Sequence, residues 1–478
     1  MQSNVYLAAD FGAGSGRVIA GWLEGGRLQM KEVHRFADRQ VRLGARLYWD
    51  FPAMVFELKE GLRKAATMGF QAESIGIDTW GVDFGLLDAK GELLGWPVCY
   101  RDERTKGMQE RVFSYYLERA FHYSLTGIQQ LDINTLYQLV SMREAGDVRL
   151  READRLLFMP DLLAYFLTGV ATNEYTIAST SDLLDARRRD WSTETIRLVR
   201  LSQRLFGSIV MPGTVRGQLT TEIAEETGQR QIPVVAVPGH DTACAVCATP
   251  LEKGSAFLSS GTWSLLGVEL AEPILTEEAR LASFTNEGGV GGTIRFLQNI
   301  TGLWLLQRLM TEWAAHGEAQ TYDNILADAA ASHFEGTIQV DDARFNNPLS
   351  MEQAICSQLT ANRQPLPACK ADFARCVLRS LAAKYAEAIM GLNKLLPTSV
   401  RQINVIGGGS QNNLLNQFTA DATGQPVLAG PVEATAMGNI LVQAISAGEL
   451  SDISAAREVV KQSFALRQFM PNRSASLS

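Results

Sequence analysis

Apolar and polar positions along the chain follow one grammar twice. Residues 5–9 are almost wholly apolar, Asp10 closes the run, a turn carries Gly12, Gly14, Ser15 and Gly16, and residues 18–22 are apolar again. Two β-prone runs about a glycine turn predict a hairpin whose turn exposes backbone N–H groups. Residues 28–35 and 45–49 read as further strands that complete a meander. Residues 52–68 carry Val55, Phe56, Leu58, Leu62 and Ala65 at helical spacing behind a proline in the first turn. A short buried strand over 74–78 then delivers Thr79, Trp80, Gly81, Val82 and Asp83, and 86–94 reads as a hairpin turning at Lys90-Gly91. Residues 105–200 are mainly helical in pattern, broken at Gly127, Pro160 and Gly169, and could form an inserted lobe. A buried strand over 232–238 ends at Gly239-His240-Asp241-Thr242-Ala243, and the small residues to Ala248 suit a helix that begins at Asp241 or Thr242.

Residues 256–268 then repeat the strand, hydroxyl-glycine turn and strand order of residues 5–22, so the chain reads as two related halves by pattern rather than by residue identity. A helix is predicted over 300–313 with Leu303, Leu306 and Met310 on its core face. Proline-dotted, polar residues 341–367 predict an irregular surface segment. Residues 372–396 form a long amphipathic helix with Phe373, Val377, Leu381, Ile389, Leu392 and Leu396 inward. The strand at 403–406 runs into Gly407, Gly408 and Gly409. Backbone without side chains there admits a flat ring or a phosphate, or simply turns sharply. Residues 430–439 make a turn and a small-residue helix fit for close packing. The expected organisation is residues 1–245, residues 246–467 and a loose tail over 468–478.

Length supports more than one core, since 478 residues exceed what a single domain usually holds. A net charge of −8 argues against nucleic acid or an anionic membrane as the main partner. The run Arg187, Arg188 and Arg189 reads as solvated surface. No stretch approaches the roughly 18 consecutive apolar residues of a membrane helix. Met1 leads straight into the first strand without a signal core, so a cytoplasmic location is expected. Six cysteines are few for this length and read as reduced. Three of the residues here, His240, Cys244 and Cys247, fall at i, i+4 and i+7, but no fourth zinc ligand is apparent and the surroundings are small and apolar.

The opening turn is compatible with polyphosphate, and Asp10 at the strand end is placed to hold Mg²⁺ through waters. Any hairpin needs glycine, however, and such an aspartate can also serve only its own backbone. The spacing G-x-G-x-G followed by a strand is not the dinucleotide fingerprint, and no Walker lysine pattern occurs. Asp241 likewise suits either a helix N-cap or a general base.

Taken together, the two hairpins and the Gly407–409 turn resemble the FGGY carbohydrate kinases of the actin-like superfamily. Residues 77–84, 239–243, 260–265 and 299–307 look like the branch acting on L-rhamnulose. The similarity runs from about Val5 to Asn439. It implies an α/β chain of two ribonuclease H-like domains with the active site in an interdomain cleft, the N-terminal one binding sugar and the C-terminal one nucleotide. It also implies transfer of the γ-phosphate of ATP, with Mg²⁺, to the C1 hydroxyl of L-rhamnulose. On matching positions, Asp241 is the base. Gly81, His240, Asp241, Thr242 and Asn299 contact the sugar, with Trp80 available over an apolar sugar face. Ala13, Gly14, Ser15, Gly16, Arg17, Thr262, Gln307 and Gly408 contact the nucleotide, and Asp10 serves the metal. Gly14 departs from a hydroxyl common at that turn, leaving backbone N–H to serve. The alternatives are another FGGY ketose kinase, for L-fuculose or L-xylulose, or a non-transferring actin-like ATPase. A monomer or weak homo-oligomer is expected.

Overall fold

Tyr6–Phe11 (β1) and Gly16–Glu24 (β2) pair antiparallel, closed by Phe11 opposite Gly16, and Arg27–Phe36 (β3) pairs antiparallel with β2. The computed structural model describes residues 4–346 and 348–472. The chain divides into two units. The first holds the chain through Ala248 with Glu269–Phe296 and Ala434–Ser463, and the second holds Thr249–Val268, Leu297–Glu433 and the chain from Phe464.

In the first unit Ser74–Asp78 (β4) runs parallel to β1 with all five residues buried, and Val215–Gln218 (β5) and Pro233–Val235 (β6) complete a sheet of order β5-β6-β4-β1-β2-β3. Both faces are covered, which is why β1 and β4 are apolar almost throughout rather than alternating. Helix α1 (Phe51–Thr67) meets the Val18 face, where Gly61 leaves room for the Val18 side chain. The helix Ala434–Ser446 meets the opposite face, where Gly21 leaves room for Ile440 and Gly76 for Asn439. Asp50 caps α1 by accepting from Ala53 N, and Met54, Leu58, Leu62 and Ala65 are buried, whereas Phe56 faces outward. Residues 46–49 do not extend the meander. They pair with Gln40–Leu43 in a separate two-stranded ribbon.

The segment 105–200 is largely helical but also holds the strand Arg155–Phe158, which pairs with Phe84–Leu87. The chain turns at Lys90-Gly91, with Gly91 N donating to Asp88 O at 3.0 Å. Arg187 and Arg188 are exposed. Arg189 is not simply solvated, since it donates to the carbonyls of Gly292 and Ala271 at 2.9 and 3.0 Å. Helix α2 (Asp241–Cys247) follows β6, and the six cysteines are free thiols.

The second unit repeats the order. Ser255–Ser260 (β7) and Trp263–Leu270 (β8) form a hairpin, Gln402–Ile406 (β9) lies parallel to β7, and Val427–Ala429 (β10) lies parallel to β9. Arg467–Phe469 (β11) pairs antiparallel with β10, so the expected loose tail begins inside a strand, and its residues 473–478 lie outside those described. The helix expected over 300–313 is Trp304–Ala315 (α3), because Ile294–Thr301 is a strand and Gly302 separates the two. Residues 341–367 are not irregular throughout. Ser350 caps a helix over Met351–Ala361 that buries Ile355 and Leu359, with the prolines lying outside its ends. Helix α4 (Lys370–Leu395) matches the amphipathic run, and α5 (Asn413–Thr423) follows the glycines.

Candidate active site

The chain leaving β6 reaches Gly239, whose carbonyl accepts Thr79 N at 2.9 Å, while Asp241 N donates to Thr79 O at 2.8 Å. This clamp seats Asp241 as the first residue of α2, with His240 in the cap position. Asp241 is therefore not the N-cap. Its carboxylate accepts Thr242 N at 2.5 Å and Thr242 Oγ1 at 3.1 Å, and His240 Nε2 lies 3.5 Å away, all on Oδ1. Oδ2 is the oxygen left for other work, on a side chain 33% exposed beside the buried Thr242. A carboxylate fixed by one oxygen and open at the other is suited to accept a proton from a neighbouring hydroxyl.

Glu174 supports this turn from below. Fully buried, it accepts Gly239 N at 2.8 Å together with Thr176 N, Thr176 Oγ1 and Ile177 N. Burial pushes its pKa up against those bonds.

Gly81 lies in a strained turn. Asp83 N donates to Gly81 O at 2.9 Å, and Val82 between them has φ of 68°. Positive φ in a β-branched residue persists only when its surroundings hold it there. Here Val82 N donates to Thr180 Oγ1 at 3.1 Å, and Val82 O accepts Thr135 Oγ1 at 2.6 Å. Asp83 anchors the far side of the turn. Buried completely, it accepts Trp49 Nε1, Trp80 Nε1, Tyr100 N and Gln138 Nε2 at 2.7, 3.0, 3.0 and 3.1 Å. Burial pushes its pKa up to about 6, opposed by those four donors. Trp80 is thereby drawn into the core, its ring 4.0 Å from that of Trp49, and is not open to cover a sugar face.

On the phosphate side, Arg17 donates from Nε and Nη2 to Asp10 Oδ2 at 3.0 and 2.7 Å, as their opposed positions on β1 and β2 dictate. Arg17 thus has a carboxylate partner within its own hairpin. The turn is pinned by Gly12 N to Ser15 O at 3.0 Å, and Gly14 and Ser15 are exposed. The glycines separate by cause. A Cβ on Gly16 would strike the Phe36 ring at 2.3 Å, so packing demands that glycine, whereas a Cβ on Gly14 would meet nothing within 4 Å. Asp78, beside Asp10 in register, is wholly buried and accepts Asn439 Nδ2 at 2.6 Å on Oδ2, while Oδ1 has no protein partner. Burial and the Asp10 charge hold it well above the usual carboxylate range.

In the second unit Thr262 and Gln307 come together, Thr262 Oγ1 donating to Gln307 Oε1 at 3.3 Å. The turn at 261–262 also receives the start of α3, as Leu303 N donates to Gly261 O at 2.8 Å and Trp304 N to Thr262 O at 3.2 Å. Gly407, with φ of 78°, and Gly409 pack against Ser260, while Gly408 faces open space. Asn299 lies on the strand Ile294–Thr301. Among the described residues no group of three or more His, Cys, Asp or Glu side chains is arranged to hold a metal ion, and Cys244 Sγ donates to Pro238 O at 3.1 Å rather than joining His240 in a metal site.

Comparison with known proteins agrees with this repeated architecture. Residues 5–248 match the N-terminal domain model of the FGGY family of carbohydrate kinases, and residues 256–447 match the C-terminal one. The chain belongs to this family. As an FGGY carbohydrate kinase it is a phosphotransferase acting on sugar with ATP as donor, on an actin-like ATPase fold. A protein named rhamnulokinase from Bacteroides thetaiotaomicron is 44% identical over 474 residues, covering 98% of this chain and 96% of that one. Another of that name from Oceanobacillus iheyensis is 40% identical, covering 96% and 97%. Among solved structures, a gluconate kinase from Lactobacillus acidophilus superposes with TM-score 0.81 at 15% identity, covering 99% of this chain and 95% of its own. A Plasmodium falciparum glycerol kinase with ADP gives 0.78 at 12%, with the same coverage. At those identities the structures speak to the fold of this FGGY kinase alone. No helix among the described residues is long and apolar enough to cross a membrane.

Glu174, Glu287 and Arg295 stand outside every motif of the sequence, and Asp78 and Asp83 enter only as members of the 77–84 motif. Each is a buried charge with at least one partner from another segment, as Glu174 with Gly239, Asp78 with Asn439, Asp83 with Trp49 and Gln138, and Glu287 and Arg295 with His240, and no local pattern marks those contacts.

Proposed function

We propose that this FGGY kinase transfers the γ-phosphate of ATP to the C1 hydroxyl of L-rhamnulose, giving L-rhamnulose 1-phosphate and ADP in L-rhamnose breakdown. The observation that carries the reading is the Asp241 carboxylate, fixed through Oδ1 and open at Oδ2, in a chain 40–44% identical to relatives named for that substrate. In this reading Asp241 Oδ2 takes the proton of the attacking hydroxyl. A positioned base is worth about 10²–10⁴-fold in rate. Gly81, His240, Thr242 and Asn299 orient the sugar, while Ala13, Gly14, Ser15, Gly16, Arg17, Thr262, Gln307 and Gly408 are the nucleotide positions. Gly14 and Gly408 support this strongly, because neither packing nor backbone conformation calls for glycine there and a closely approaching ligand does.

Mg²⁺ takes few protein oxygens and keeps several waters. Asp10, a hard-oxygen donor already shared with Arg17, fits that habit as a water-mediated contact. The ion, when bound, offsets charge on the phosphate oxygens. A net charge of −8 disfavours nucleic acid and anionic membrane as partners, and this reading takes the enzyme as cytoplasmic and as a monomer or weak homo-oligomer. The test is a coupled ADP-release assay with ATP, Mg²⁺ and L-rhamnulose, L-fuculose and L-xylulose. L-rhamnulose is expected to give the highest kcat/KM. Faster ADP release with L-fuculose or L-xylulose would assign the other ketose, and ATP hydrolysis indifferent to all three would favour the non-transferring ATPase.

A further inference from the structure

His240 meets two charged residues that neither the motif nor the reaction assigns. Arg295, on the strand Ile294–Thr301, has no exposed surface and donates from Nε to Gly288 O at 2.8 Å. Its Nη2 lies 3.1 Å from Glu287 Oε2 and 3.2 Å from His240 Nδ1. Glu287 Oε2 is itself 3.3 Å from the same Nδ1, and on the other edge of the ring Nε2 faces Asp241 Oδ1 at 3.5 Å.

A guanidinium nitrogen has only protons to offer, so the ring nitrogen facing it must offer its lone pair. A neutral imidazole that accepts at Nδ1 carries its proton on Nε2. Glu287 alone would select the opposite arrangement, because a carboxylate against Nδ1 calls for a proton there. Arg295 lies within ion-pair distance of that carboxylate and sets a donor directly against Nδ1. From the geometry we infer that Arg295, paired with Glu287, is a positioning residue that fixes His240 as the Nε2–H tautomer. This aims a donor at the Asp241 edge and, resting on the kinase reading above, at a sugar oxygen held there. The other charged and titratable groups around His240 do not compete for Nδ1. Asp241 lies on the Nε2 edge, Glu174 is taken up by Gly239 N and the Thr176 and Ile177 donors, and Asp78 precedes the Thr79 that pairs with His240 through backbone. His240 N is itself engaged with Thr176 Oγ1 at 3.4 Å.

The tautomer is read directly from the ¹⁵N shifts of the imidazole nitrogens in histidine-labelled protein, which has only five histidines, with His240→Gln supplying the assignment. At neutral pH the wild-type ring is expected to show a protonated Nε2 and an unprotonated Nδ1. Arg295→Met should move the proton to Nδ1, toward Glu287, and raise the KM for the sugar about tenfold more than it changes kcat. Arg295→Lys and Glu287→Gln, which keep a donor at that position, should retain Nε2–H. A wild-type ring protonated at Nδ1 overturns the inference even if Arg295→Met does not fold, and so does a folded Arg295→Met that keeps Nε2–H. The shifts are measured without substrate, so they stand or fall apart from the ketose assay.

Discussion

Gly408 and Gly409 are neighbours in sequence with opposite reasons for being glycine, and substituting each in turn separates ligand from fold. A Cβ on Gly409 would lie 2.0 Å from Ser260 Oγ, 2.5 Å from Ser260 Cβ and 2.9 Å from Ser260 O. Ser260 is locked opposite Ser264 in the β7–β8 hairpin, so relief must come from backbone movement. Overpacking of that kind costs about 1–3 kcal/mol. In a unit of this size each kcal/mol lowers Tm by roughly 2–4 °C, so Gly409→Ala should melt about 2–12 °C lower. A Cβ on Gly408 meets no atom within 4 Å and the residue is outside the left-handed region, so Gly408→Ala should change stability by no more than about 0.5 kcal/mol. If ATP lies against that backbone, the added methyl intrudes on the contact instead. A comparable penalty of about 1–3 kcal/mol, transferred to binding, raises the KM for ATP about 5- to 150-fold. Thermal melts and a coupled ADP-release titration of ATP on both variants are the assay. An unchanged ATP KM in a well-folded Gly408→Ala refutes the reasoning, as does a Gly408→Ala that melts as low as Gly409→Ala.

Asp241→Asn should lower kcat by about 10²–10⁴-fold while ATP binding measured by calorimetry stays within a few-fold; near-normal turnover removes Asp241 from the base role. Asp83 is expected to make stability fall with rising pH. Its folded pKa of about 6 lies above the ordinary 3.8, so between those values the folded chain keeps a proton that the unfolded chain has lost. Its contribution is complete below the ordinary value and is lost as pH rises through 6, at about 1.4 kcal/mol per unit or about 3 kcal/mol in all. Urea midpoints of wild type and Asp83→Asn should accordingly shift relative to each other between pH 4 and 7, and a constant difference contradicts the burial argument. Gly438→Ala places a Cβ 1.9 Å from Cys244 O, a backbone atom of the helix that begins at Asp241. It should cost about 3 kcal/mol in a melt and lower kcat with it, whereas a wild-type Tm would show that the two helices separate freely.

Local pattern was enough for the hairpin at β1 and β2, its repeat at β7 and β8, the strand into Gly407 and the helix opening at Asp241, because each depends on residue spacing within one stretch of chain. The resemblance to the FGGY kinases set Thr262 and Gln307 in one group, and the structure joins them by a hydrogen bond. Residues 341–367 misled because prolines outside a helix look the same in sequence as prolines that prevent one, and residues 45–49 because a strand does not name its partner. On the resemblance, Trp80 is expected to be available over an apolar sugar face. Only the fold shows that Trp49 and Asp83 claim it, since those partners are 31 and 3 residues away in the chain and meet through packing. The same holds for the buried charges. Asp10, a strand-end carboxylate, was legible as a type, but that Arg17 holds it and Asp78 lies beside it is a matter of strand register. Glycine is the clearest case: three in a row announced a special turn, and only the neighbouring Ser260 shows that two of them serve the fold while Gly408 does not.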